Sequence, residues 1–167
     1  RACAKAQQRV YEGKESHAQA IRELYGENHA WQHVSTMQNA TLDDVFREHG
    51  RNVNAAHRNV GLVIETRPDS INCESLTLMR ALGCTKIQMG VQSLNEHVLK
   101  ANKRHTSPEQ IAQAFALCRL FGFKSHAHFM ANLLGATPGG DASDFRTLVS
   151  DKRFLPDEVK MYPCAHI

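Results

Sequence analysis

No apolar run in the 167 residues approaches the roughly 18 that a membrane-spanning helix needs, so nothing here argues for a membrane protein. The opening residues, Arg1-Ala-Cys-Ala-Lys5, lack the apolar stretch of a secretory signal. Cysteine is sparse: Cys3, Cys73, Cys84, Cys118 and Cys164 make an odd set of five. No pair has the short spacing of a zinc or iron–sulfur ligand set, and the scatter argues against a disulfide framework. Reduced, mostly packed thiols fit best, and with them a cytoplasmic protein. A large excess of one charge is also missing. Twenty Lys and Arg against 17 Asp and Glu leave +3, too little to argue for nucleic acid by itself. Neither Gly-x-Gly-x-x-Gly nor a P-loop follows any strand-like run, which weakens dinucleotide and nucleoside-triphosphate readings. The Gly-rich stretch Leu134-Gly-Ala-Thr-Pro-Gly-Gly140 has neither spacing and reads as a turn between strand and helix.

What is present is a regular alternation after residue 60. Apolar runs at 60–66, 85–91, 123–130 and 157–162 read as strands. Helical patterns lie between them. Asn72 caps a helix over 74–82 that Gly83 closes. Ser107-Pro108 opens another, with Ile111, Ala114, Phe115 and Cys118 on one face and Gly122 at its end. A further helix is expected over 141–150, started by Asp141. Strands alternating with helices imply βαβ units and a parallel sheet, either a barrel with the helices on one face or an open doubly wound sheet. The first 57 residues read as helical. Ser16 would cap a helix to Leu24 that Gly26 ends. Thr41 would open another, with Leu42, Val45, Phe46, His49, Val53 and Ala56 as its apolar side. Trp31, in the irregular stretch between, reads as packing.

Two of the apolar runs end in polar clusters: Ile64-Glu-Thr-Arg-Pro-Asp69 and Met89-Gly-Val-Gln-Ser93. The C-terminal ends of parallel strands are where α/β folds place their binding sites. His126 and His128 alternate on one strand and share a face, but no third ligand at a clear spacing joins them, so no metal ligand is assigned.

Glu-Thr-Arg-Pro-Asp69, Gly-Cys-Thr-Lys-Ile-Gln-Met-Gly-Val-Gln-Ser93, Asn102-Lys-Arg-His-Thr106, Ala-His-Phe-Met130 and Val-Lys-Met-Tyr-Pro163 follow in order and at suitable spacing. Together they resemble the radical S-adenosylmethionine (SAM) domain of the catalytic subunit of Elongator, a family with bacterial and archaeal single-chain relatives. The resemblance covers about residues 41–164. It implies an α/β fold, a partial (β/α) TIM-type barrel with parallel strands inside and helices outside. SAM would lie at the strand ends beside a [4Fe-4S] cluster that reduces it to a 5′-deoxyadenosyl radical. The implied activity is carboxymethylation of C5 of the wobble uridine of tRNA, with acetyl-CoA as co-substrate. The implied partners are tRNA and acetyl-CoA, then a second copy or Elongator-like subunits.

The same resemblance assigns residues. Glu65 would contact the ribose or amino group of SAM, by charge-assisted hydrogen bonds; an ion pair with Arg67 is its alternative. Gln92 would bond the ribose, since an amide both donates and accepts. Arg104 would form a planar fork with the SAM carboxylate. Gly90 would permit close approach. Asn132 stands where the family usually has Asp, in Met130-Ala-Asn-Leu-Leu-Gly135 rather than an Asp-Leu-Pro sequence. Cluster cysteines and a Gly-Gly-Thr-type motif are absent. The expectation is therefore a truncated barrel with the cluster loop and an acetyltransferase domain outside this chain. Two other readings stand beside it. One is a different radical SAM oxidoreductase, such as an oxygen-independent coproporphyrinogen dehydrogenase relative. The other is a degenerate, non-enzymatic SAM- or RNA-binding module.

Overall fold

The computed structural model describes residues 2–25 and 40–165. The chain divides into two units, Arg1–Asp44 and Val45–Ile167. Gly26 and Trp31 lie outside the described residues.

In the first unit, α1 (Ala2–Tyr11) and α2 (His17–Tyr25) pack on each other. Ser16 caps α2 reciprocally: the Gln19 N–H donates to its Oγ at 3.3 Å, and its own N–H donates to Gln19 Oε1 at 2.8 Å. Arg9 reaches Glu15 at 3.0 Å and Glu23 at 2.7 Å, tying α1 to the turn and to α2. Ala6 and Ala20 are buried. Thr41 and Asp44 cap α3 (Leu42–Val53) in the same reciprocal way. The expected apolar side of α3 is not a core face. None of its residues is buried, Leu42, Phe46 and Val53 stay largely exposed, and Ala56 lies beyond its end.

The second unit carries a four-stranded sheet in the order β1-β2-β3-β4, every neighbouring pair parallel. The strands are β1 (Leu62–Thr66), β2 (Cys84–Gln92), β3 (Lys124–Ala131) and β4 (Glu158–Pro163). Each lies within two residues of its expected bounds. Between them run a 3-10 turn (Pro68–Ser70), α4 (Cys73–Ala81), α5 (Glu96–Ala101), α6 (Pro108–Leu120) and α7 (Pro138–Ser150). Asn72 and Ser107 form capping boxes with Ser75 and Gln110, as their positions suggested. Gly83 and Gly122 follow their helices at φ 84° and 73°, a conformation that suits glycine.

Two helical features differ from the sequence reading. α5 was not expected; Asn95 caps it by accepting from the N–H groups of His97 and Val98. α7 begins at Pro138 rather than Asp141, because Thr137 Oγ1 accepts from the Gly140 N–H at 3.1 Å and Pro138 suits the first helical position. The Gly139-Gly140 pair, which reads as a turn, is the first turn of this helix.

The core lies on one face of the sheet. Ile87, Met89 and Val91 of β2 and Ala127 and Phe129 of β3 meet Leu76 of α4, Leu99 of α5, Ile111, Phe115 and Cys118 of α6 and Leu148 of α7. Phe154 packs edge-on against Phe115 at 6.1 Å. Arg119 fastens the loop carrying Phe154, donating to the carbonyls of Phe154 at 2.7 Å and Arg153 at 2.9 Å. Helices packed on one face of an all-parallel sheet give the partial barrel that the resemblance implied, and not the open doubly wound sheet that the strand pattern also allowed.

Candidate functional site

The opposite, inner face of the sheet is polar. Residues of alternating register place Glu65 of β1, Lys86, Gln88 and Gly90 of β2, His126 and His128 of β3, and Glu158 and Lys160 of β4 on it. Near its C-terminal end β2 loses its regular register with β3 between Gly90 and Gln92. Gln92 then takes φ 69°, a left-handed conformation that costs a residue with a Cβ about 1 kcal/mol. A bulge of this kind re-aims a side chain. Here it turns the Gln92 amide back over Gly90.

Three of the residues named from the sequence converge at this point. A Cβ added to Gly90 would stand 3.1 Å from Nη2 of Arg104 and 3.2 Å from Nε2 of Gln92. Glycine here makes room for those two side chains. Arg104 Nη2 donates a short hydrogen bond to the Gly90 carbonyl. The end of α5 sets its approach: the Arg104 N–H bonds to Leu99 O at 2.9 Å and the Lys103 N–H to Lys100 O at 3.1 Å, a Schellman turn with Lys103 at φ 54°. Among the described residues Arg104 forms no ion pair. Burial and the neighbouring Arg67 pull its pKa below the ordinary guanidinium value, against a smaller opposite pull from Asp69. Arg67 itself pairs with Asp69 at 2.6 Å and not with Glu65.

Glu65 lies on the same face, one strand over. Its Oε1 is 3.4 Å from Nδ1 of His128. Glu158 stands in the same relation to His126, at 3.3 Å, and also holds Lys86 at 2.8 Å. The two imidazoles meet edge to face at 4.9 Å, and Tyr162 adds a third ring 5.6 Å from His128. Burial, then His128, holds the His126 pKa below its ordinary value; Glu158 opposes this, and Lys86 and Lys160 add to it. Three buried side-chain atoms have no hydrogen-bond partner among the described residues: Gln92 Oε1, His126 Nε2 and His128 Nε2. All three belong to the inner face or its rim. The sequence reading placed His126 and His128 together but missed the carboxylate set beside each.

Asn132 is not drawn into this group by its described bonds. It ends β3 at φ 64°, its N–H donates to Asp141 at 2.8 Å, and its side-chain amide donates to the Cys164 carbonyl at 3.0 Å. Asp144 of α7 was also not anticipated. Its Oδ2 accepts from Ser93 Oγ and from the N–H groups of Leu94 and Asn95, both at 3.0 Å. It thereby holds the turn that follows Gln92.

The radical SAM superfamily model matches residues 5–144, and the chain belongs to that superfamily. Within it, the chain is 39% identical over 112 residues to the tRNA uridine(34) acetyltransferase of Dehalococcoides mccartyi, covering 67% of this chain and 24% of that protein. It is 35% identical over 104 residues to human Elongator complex protein 3, covering 62% of this chain and 19% of that protein. The chain thus spans about a quarter or less of the curated relatives it matches. Among solved structures it is similar to archaeal Methanocaldococcus infernus Elp3 lacking its N-terminus. That match has 35% identity and a TM-score of 0.67 and covers 74% of this chain and 31% of that one. Coproporphyrinogen III oxidase (HemN) from Escherichia coli, a radical SAM enzyme, gives a TM-score of 0.59 at 23% identity, a likeness of fold alone. The Elongator-type resemblance of the motifs thus extends over about two thirds of the chain.

The residues at the end of β2 fit SAM. The unpartnered Gln92 Oε1 suits a hydroxyl donor, and the unpaired Arg104 suits a carboxylate. They do not fit the cluster. Among the described residues no three His, Cys, Asp or Glu side chains group to hold a metal. Cys84 and Cys118 are core residues, and burial pushes the Cys118 thiol up to about 11, against thiolate formation. No helix among the described residues is long and apolar enough to cross a membrane.

Proposed function

We propose that the second unit is part of the SAM-binding barrel of a cytoplasmic enzyme that carboxymethylates C5 of the wobble uridine of tRNA, with acetyl-CoA as co-substrate. The observation that carries this reading is the meeting of Gly90, Gln92 and Arg104 at the end of β2, in a chain 39% identical to a tRNA uridine(34) acetyltransferase. Gln92 Oε1 accepts a hydrogen bond from a ribose hydroxyl. Arg104 meets the methionyl carboxylate, aided by the positive field of Arg67. Gly90 leaves the space in which both side chains lie. Glu65 binds a further polar group of the cofactor from β1, beside His128. Asn132 contributes by its place at the end of β3, since its side-chain amide already holds the Cys164 carbonyl. Bound SAM supplies the radical with which enzymes of this superfamily activate a C–H bond. The [4Fe-4S] ligands, tRNA contacts and acetyl-CoA site are assigned to the rest of the full protein, and a second copy or Elongator-like subunits are its further partners.

The test uses the full chain. Calorimetric SAM binding by the parent, weakened by Arg104→Ala at a cost of about 1–3 kcal/mol, supports the cofactor reading. Mass spectrometry of tRNA from a host lacking the gene tests the reaction. Unmodified wobble uridine is expected there, and normal modification would refute the assignment. The coproporphyrinogen-type alternative rests on a likeness of fold and is not favoured.

A further inference from the structure

Two aspartates on one side of α7, Asp141 and Asp144, each grip the end of a different strand. Both gripped ends carry a residue in the left-handed region. Asp141 accepts from the N–H of Asn132 (φ 64°) at the end of β3. Asp144 accepts from Ser93 Oγ, Leu94 N–H and Asn95 N–H, directly after Gln92 (φ 69°) at the end of β2. Neither carboxylate pairs with a cation among the described residues. Residues three apart on a helix face the same way, and Asp141, in the first turn, is also favoured by the positive end of the helix.

The Asp144 contacts are unusually concentrated. One carboxylate oxygen receives three donors from three consecutive residues, and Ser93 is 1% exposed and Leu94 8%. Ser93 Oγ also accepts from the Asn95 N–H at 3.0 Å, which closes the turn on itself. The strained Gln92 backbone is therefore bounded on one side by the sheet ladder and on the other by this carboxylate. Without Asp144, Leu94 loses its acceptor and Asn95 keeps only Ser93 Oγ, so the one described restraint left on that side is the Ser93 N–H to Val91 carbonyl bond at 2.9 Å, which closes a tight turn across Gln92. A relaxed Gln92 would swing its amide away from Gly90 and Arg104.

We propose that Asp144 is a positioning residue for the cofactor site: it fixes the conformation of Gln92, and through Gln92 the ribose-facing amide, without touching the ligand. The inference rests on the reading of Gln92 as a SAM contact. In the full chain, Asp144→Ala and Asp144→Asn are made alone and with Gln92→Ala. SAM affinity is measured by calorimetry, and protection of the Leu94 and Asn95 amides by hydrogen exchange without ligand. Asp144→Ala is expected to expose the Leu94 amide, lower the protection of Asn95 and weaken SAM roughly tenfold, with little further loss when Gln92 is already Ala, because the two act as one unit. Asp144→Asn keeps an amide oxygen as acceptor and retains most of the affinity; should the Ala variant fail to fold, the smaller Asn loss must still vanish in the Gln92→Ala background. Asp141→Ala, which frees β3 instead, is the internal control, and its effect adds to that of Gln92→Ala.

Exposed amides with unchanged SAM affinity would overturn the proposal, as would a loss of equal size in both Gln92 backgrounds. Absence of SAM binding by the parent chain would sink the cofactor reading, and this inference with it. The exchange data would then still report whether Asp144 holds the turn.

Discussion

The two faces of the four-stranded sheet obey different rules. On the outer face, Ile87, Met89, Val91, Ala127 and Phe129 are each at most 1% exposed and are covered by helices. On the inner face the same two strands present Lys86, Gln88, His126 and His128, and the buried polar atoms without partners lie there or at its rim. Native proteins rarely leave buried polar groups unpaired, because each costs about 1–3 kcal/mol. The outer face is thus optimised for folding, while the inner face is left short of partners. That is the pattern of a surface shaped for something other than stability.

The largest effect should come from the outer face. Phe129→Ala opens the core beneath α7, where Phe129 meets Phe145 at 5.9 Å. It is expected to lower the unfolding free energy of the full chain by about 3–5 kcal/mol in a denaturant titration. A change below about 1 kcal/mol would mean that the outer face does not carry the fold.

A substitution on the inner face should act in the opposite direction. His126→Val removes an imidazole whose Nε2 is buried without a partner and is expected to raise stability at pH 7.5 by about 1 kcal/mol. The pH dependence sharpens the contrast. With the folded pKa of His126 held below the unfolded value near 6.5, the unfolded chain binds the proton more readily. Stability from neutral His126 is present above that unfolded value and falls as the pH drops through it toward the lower folded one. The parent should therefore lose more stability than His126→Val between pH 7.5 and 5. Equal slopes in thermal unfolding across that range would show that His126 is not the group responsible.

The smallest effect concerns helix ends. Gly83 and Gly122 end α4 and α6 in the left-handed region, and Lys103 does the same for α5 without glycine's freedom. Lys103→Gly should stabilise by about 0.5–1 kcal/mol and leave Arg104 in place. A loss of stability would show that the Lys103 side chain contributes more than its backbone strain removes.

Much of this was legible in the sequence. Strand positions followed from apolar runs separated by capped helices, and the caps at Asn72 and Ser107 sat where Asn and Ser-Pro announced them. Gly90, Gln92 and Arg104 were grouped by the family resemblance of their motifs, not by the short helix that separates them, which the sequence did not announce. The α7 start was misread because Gly139-Gly140 signals a turn when viewed locally, whereas Thr137 and Pro138 supply the cap and first helical position. Glu65 with His128, and Ser93 with Asp144, were out of reach for another reason. Each pairing joins distant segments, and a carboxylate's partner depends on sheet register and helix placement, not on neighbours in sequence. The apolar stripe of α3 was legible as a pattern, but a pattern does not say whether a face is covered.

The central claim is that the inner face and its rim give up stability to hold a ligand, and Gln92→Leu in the full chain tests it most directly. Leucine keeps similar bulk and removes the unpartnered amide oxygen. Unfolding free energy and calorimetric SAM affinity are measured on the same preparation. The account predicts unchanged or higher stability together with SAM binding at least about tenfold weaker, the signature of a trade between stability and function. Stability lowered by about 1 kcal/mol or more with SAM affinity intact would contradict it, and would make Gln92 a structural residue of the strand end.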